Sequence, residues 1–68
     1  MNNYRVERQV FVNAEWQLGK TKPAYFATAI GAINYAEGVK WLLTPVERFV
    51  VFDNETNKIL RVVEVMEW

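Results

Sequence analysis

PAYFATAIGAINYA, Pro23 to Ala36, carries no charged residue, and its reading decides the fold. At 100° per residue, Phe26, Ala29, Ile30 and Ile33 fall on one side of a helix, with Ala36 at the margin, which predicts a stripe directed at a core. The opposite side holds Ala24, Ala27, Thr28, Gly31, Asn34 and Tyr35, where a surface helix ordinarily places Lys or Glu. Alanine is the best helix former and small residues tolerate water, so the plain reading is an ordinary solvated back. The sharper reading is that another helix, its own symmetry mate included, packs there at close range. Thr21 and Pro23 supply the start signal and Glu37-Gly38 the stop.

C-terminal to the helix, Val39 to Leu43 reads as an extended link or a short edge strand, interrupted by Thr44-Pro45, and Trp41 is expected to bury something either way. Val46 to Phe52 and Ile59 to Met66 are β-branched and aromatic, with DNETNK between them, which predicts a hairpin. With Asn57 in the left-handed position usually given to glycine, Asn54 pairs with Lys58, Arg48 sits across from Glu64, and Val50 sits across from Val62. The alternative register, Asp53 with Lys58, opposes Glu47 to Glu64 and is disfavoured by like charge.

The preferred register separates two faces. One carries Val46, Val50, Phe52, Leu60, Val62 and Met66 with the Arg48–Glu64 pair, and the other carries Phe49, Val51, Val63 and Val65 with Glu47, Arg61 and Glu67. Both are substantially apolar, and one helix covers only one side of a sheet. The second side is therefore exposed, curled over by the N-terminal strands and Trp41, or covered by another chain.

At the N-terminus Tyr4, Val6, Val10 and Val12 share one parity and Arg5, Glu7, Gln9 and Asn13 the other, the alternation of a half-buried strand that Arg8 and Phe11 break. Asn13-Ala14-Glu15 turns the chain so that Trp16-Gln17-Leu18 pairs back as a short second strand ended by Gly19. The expected fold is a single α+β domain over residues 1–68, an antiparallel sheet of three to five strands with one helix packed across one face, in the order βαββ or ββαββ.

Composition narrows function mainly by exclusion. The chain has no His, no Cys and no Ser, which removes activated serine and cysteine nucleophiles, histidine general bases and thiolate or imidazole metal sites. Without cysteine nothing points to an oxidising compartment, the N-terminus lacks the order of a secretion signal, and the cytoplasm is the expected location. Eight basic and eight acidic residues cancel, so the general attraction to nucleic acid or membrane is missing. Ala14 to Thr21 fits a relaxed phosphate-loop template, with Phe49 to Asp53 as its acidic partner strand. Trp16 and Leu18 stand where such a loop needs glycines, and Pro23 would fall inside its helix, so the match reads as coincidence. Asp53-Asn54-Glu55 is a turn signal rather than a calcium loop.

No catalytic residue, cofactor or metal is assigned on these grounds. The expected role is a small, non-enzymatic protein-interaction module that self-associates as a homodimer. An accessory protein of phage or mobile-element type, binding and blocking a host protein, is one form of this. The contact residues expected are Phe49, Val51, Arg61 and Val63 on the sheet, with Arg61 as polar anchor, followed by Tyr35 and Trp41. The alternative is nucleic-acid binding through Lys20, Lys22, Lys40 and Lys58 with Trp16 and Trp41 as stacking surfaces.

Overall fold

The computed structural model describes residues 3–65, and the readings for Met66 and Glu67 lie outside that range. A five-stranded antiparallel sheet carries one helix across one face, the expected class with its ββαββ order expanded by one further strand. The elements are β1 (Tyr4–Val12), β2 (Glu15–Leu18), β3 (Ala24–Phe26), α1 (Ala29–Val39), a 3-10 turn (Lys40–Leu42), β4 (Glu47–Asp53) and β5 (Ile59–Glu64). No helix among the described residues is long and apolar enough to cross a membrane.

β1 and β2 form the N-terminal hairpin, with Val12 opposite Glu15 and Asn13 and Ala14 between them at φ 54° and 66°. Two successive positive φ values match the twist of the flanking strands, as in a type I′ turn. Gly19 then donates its N–H to Arg8 O at 2.8 Å, and a Cβ there would lie 2.9 Å from that same oxygen, so the close approach of the two backbones requires glycine.

The stretch expected to begin the helix does something else. Ala24–Phe26 returns to the same edge of β1 that β2 occupies, pairing Tyr4 with Phe26, Arg5 with Tyr25 and Val6 with Ala24. β2 and β3 are in effect one edge strand, interrupted where Gly19 to Pro23 bulge past Glu7 and Arg8. The pairing satisfies backbone groups of β1 that would otherwise be left open. The helix start passes to Thr28, whose hydroxyl accepts the Gly31 N–H at 3.0 Å from an extended N-cap. The stop also moves: Gly38 lies inside the helix with no left-handed φ, and the 3-10 turn follows where an extended link or a short edge strand was expected.

With its start displaced, the helix points different residues inward. Ala32 and Ala36 are fully buried against the sheet, while Ile30, expected in the core, is 72% exposed. The core gathers Val6, Ala32, Ala36, Leu43, Phe49, Val51 and Val63, with Tyr4, Phe26, Ile33, Val39 and Val65 packed around it. Two alanines let α1 approach the sheet closely enough for β-branched and aromatic strand residues to fill the space.

The C-terminal hairpin contains both candidate registers. Arg48 faces Glu64, Phe49 Val63, Val50 Val62 and Val51 Arg61, but Phe52 faces Ile59, so a bulge at Leu60 divides the two frames. Near the turn it is Asp53, where Asn54 was expected, that donates its N–H to Lys58 O at 2.9 Å, and the Asn54 N–H donates to Asn3 O at 2.8 Å. Asn57 does adopt φ 62°. The bulge reconciles a tight turn with a pairing that keeps Glu47 and Glu64 apart.

Candidate interaction surface

Three exterior regions follow from this packing: the sheet face away from the helix, the corner where α1 meets β4, and the outer side of α1.

Register places Arg5, Glu7, Gln9 and Phe11 of β1 on the open sheet face, together with Trp16, Leu18, Tyr25, Arg48, Val50, Phe52 and Val62. Its centre is roofed by its own side chains. Arg5 donates to Glu7 at 2.8 Å and to Asn54 and Asn57 at 2.8 and 2.9 Å, with its guanidinium 4.3 Å from the Phe52 ring centre. Arg48 donates to Gln9 at 2.9 Å and lies 4.2 Å over Trp16, which packs in turn on Phe11 at 5.2 Å. The break in parity at Phe11 is thus a contact with Trp16. Val50, between these two groups on the open face, is 0% exposed. Apolar surface remains at the margins, on Leu18, Tyr25, Ile59 and Val62.

The corner is built around Arg8, the other residue that breaks the β1 alternation. Its guanidinium donates to Glu47 Oε1 at 2.9 Å and to Leu42 O at 3.0 Å, tying the 3-10 turn to the sheet. Thr44 N–H donates to the same carboxylate at 2.9 Å, and Glu47 N–H donates back to Thr44 O at 2.9 Å. The bonds from Arg8 and Thr44 hold the Glu47 carboxyl below its ordinary pKa, against the opposing effect of burial. Arg8 Nε is buried without a hydrogen-bond partner, and the guanidinium carbon stands 5.9 Å from the Phe49 ring centre. Every bond of this cluster is internal, so its chemistry is that of a brace.

The outer side of α1 differs from both. Ile30, Asn34 and Gly38 follow one another at four-residue spacing opposite the buried Ala32 and Ala36, and Trp41 in the 3-10 turn continues the row. Trp41 is 76% and Ile30 72% exposed, the two most exposed large hydrophobic residues among those described, ahead of Leu18 at 58%. No charge lies in this row. The nearest charged groups, Glu37 and Lys40, pair with each other at 3.3 Å, and Glu37 also pairs with Arg61 at 3.0 Å.

Three of the six contact residues expected from sequence occupy other places than assumed. Phe49, Val51 and Val63 are buried under α1, because the helix settles on the sheet face assigned to a partner and leaves the opposite one to the arginines. Trp41, expected to bury something, stands in solvent, and Leu43 enters the core in its stead. Arg61 is exposed and held by Glu37. Tyr35 is partly exposed, its ring 5.0 Å from Phe26 and 6.5 Å from Phe49. Ile30 was missed as an exterior residue, since its phase followed from a helix beginning at Pro23. The Thr28-to-Gly31 cap was the signal that could have corrected it.

The lysines considered for nucleic acid lie on separate elements: Lys20 and Lys22 between β2 and β3, Lys40 in the 3-10 turn beside Glu37, and Lys58 after the β4–β5 turn. Gly19-Lys20-Thr21 joins two strands of one edge rather than a strand to a helix, and Asp53 Oδ1 accepts the Glu55 and Thr56 N–H groups at 2.9 and 3.4 Å, as a turn residue does. Comparison with protein-family models, with curated proteins and with solved structures finds no match.

Proposed function

We infer that this chain is a non-enzymatic protein-interaction module and that its contact surface is the outer side of α1 and the 3-10 turn, in place of the sheet residues expected from sequence. The observation that carries this reading is the row from Ile30 to Trp41, which leaves two large apolar side chains about three-quarters exposed with no charged residue between them in the row. Tryptophan is enriched at the centres of protein interfaces, which are more apolar than the surrounding surface and depleted of charge. The sheet face supports the choice by contrast, since its centre is already occupied by Arg5, Glu7, Gln9 and Arg48 bonded to one another and to aromatic rings.

Site-specific photocrosslinking in the native cells tests the reading. A photoreactive phenylalanine analogue at position 30 or 41 is expected to give discrete protein adducts, while the same group at the exposed Thr56 gives none. An absence of adducts from both helix positions, or equal yields from Thr56, would contradict it.

A further inference from the structure

Between α1 and β4 the chain is fastened to the sheet at few points, and most of them meet at one carboxylate. Leu43 N–H donates to Lys40 O at 3.0 Å and Glu47 N–H to Thr44 O at 2.9 Å, turns that the segment closes on itself. Beyond this backbone, its outward ties among the described residues are the buried Leu43 side chain, the bond from Arg8 to Leu42 O at 3.0 Å and the bond from Thr44 N–H to Glu47 Oε1 at 2.9 Å. Val46 is fixed separately, its carbonyl accepting the Phe11 N–H at 2.7 Å.

Both hydrogen-bonded ties depend on Glu47. Its Oε1 also accepts from Arg8 at 2.9 Å, and that contact sets the guanidinium where it reaches Leu42 O. Arg8 Nε is buried with no hydrogen-bond partner, so the carboxylate charge is what compensates the cation for the water it has lost. A protonated carboxyl supplies no counter-charge, and the bonds it keeps are roughly half as strong. The surrounding groups leave Glu47 to act alone. Val10 stands opposite it on β1. Lys40 of the 3-10 turn and Arg61 of β5 are taken up by Glu37 of α1, and the opposed Arg48 and Glu64 lie on the other face of the sheet. Among the described residues Arg8 is the one charge paired with it.

We propose that Glu47 is an acid-released latch: protonation of its carboxyl frees residues 41–45, Trp41 and Leu43 included, while the strands stay paired. Arg8 and Thr44 hold the carboxyl below its ordinary pKa, so the latch is closed at neutral pH and opens as pH falls through the folded value. The segment opens before the sheet because continuous ladders join the strands and none joins the segment. The latch is independent of the contact surface assigned to α1.

Amide hydrogen exchange of the purified full chain, corrected for the intrinsic rate at each pH from about pH 6 to about pH 3, tests it. Protection at Leu43, Thr44 and Glu47 is expected to fall at least about tenfold, while that of Val50 and Val51 in β4 changes less than about threefold. Glu47→Gln keeps the shape of the side chain without its charge, and should show the lower protection already at neutral pH with no acid step in this segment. A fall of equal size in β4, protection that holds throughout the acid range, or an acid step that survives in Glu47→Gln overturns the proposal. Should the variant fail to fold, the ratio of segment to strand protection in the wild type decides alone.

Discussion

The open face of the sheet and the outer face of the helix pose the same problem, apolar surface with no further layer above it among the described residues, and they meet it differently. On the sheet, Arg5 and Arg48 lie over Phe52 and Trp16 while bonding Glu7 and Gln9, and Val50 between them is sealed from water. Long cationic side chains can cover apolar surface with their stems and stack on rings with their heads. The outer row of α1 contains no residue of that kind, and Ile30 and Trp41 stand uncovered. Apolar strand residues therefore do not by themselves mark a docking face. What separates the two surfaces is whether long polar neighbours are within reach to fold over them.

The sharpest way to break the comparison is to remove what the helix covers. Phe49→Ala is expected to cost about 3–5 kcal/mol in chemical denaturation, on the order of the whole stability of so small a domain, and to leave no folded protein at room temperature. Ile30→Ala, on the same helix-bearing side of the molecule but outside the core, should cost the protomer less than about 0.5 kcal/mol. Similar losses for both would mean that Ile30 is not a surface residue.

Arg8→Ala comes next, at about 1–2 kcal/mol, because it frees Leu42 O and leaves Glu47 with Thr44 alone. The same corner gives a pH signature. The Glu47 carboxyl has a folded pKa below its unfolded one, so its contribution is fully present above the unfolded value and is lost as pH falls through the folded value. Wild-type stability should decline in that acidic window, and Glu47→Gln should flatten the part of the decline that belongs to this group. An unchanged slope would remove Glu47 from the account.

Arg48→Ala probes the covering of the sheet, with an expected loss of about 0.5–1 kcal/mol together with a red-shifted Trp16 emission as the ring meets water. No spectral change would mean that Arg48 does not shield the indole. The smallest effect is a gain: Ala14, held at φ 66°, should give about 1 kcal/mol or less of added stability as Ala14→Gly, read from the denaturation midpoint.

Much of the fold could be read from local chemistry. The β1 alternation, a turn after Val12 that the sequence reading made one residue too long by including Glu15, the left-handed Asn57 and the Arg48–Glu64 register each follow from neighbours within one hairpin. The helix limits could not, because Ala24 to Phe26 is drawn into the sheet by the open edge of Tyr4 to Val6, a partner about twenty residues away. That one displacement turned Ile30 outward, turned Ala32 inward and ended the helix past Gly38. The choice of sheet face was likewise invisible, since both faces of the hairpin are apolar and only the three-dimensional reach of Arg5 and Arg48 distinguishes them. Arg8 looked like an error in a pattern, although it braces three segments that are distant in sequence.

Paramagnetic broadening by a soluble, uncharged relaxation agent tests the central contrast most directly. Strong broadening of the Ile30 methyl and Trp41 indole signals, with the Val50 methyls and the Trp16 indole much less affected, is the result expected. Equal broadening of the two indoles, or protection of Ile30, would contradict it.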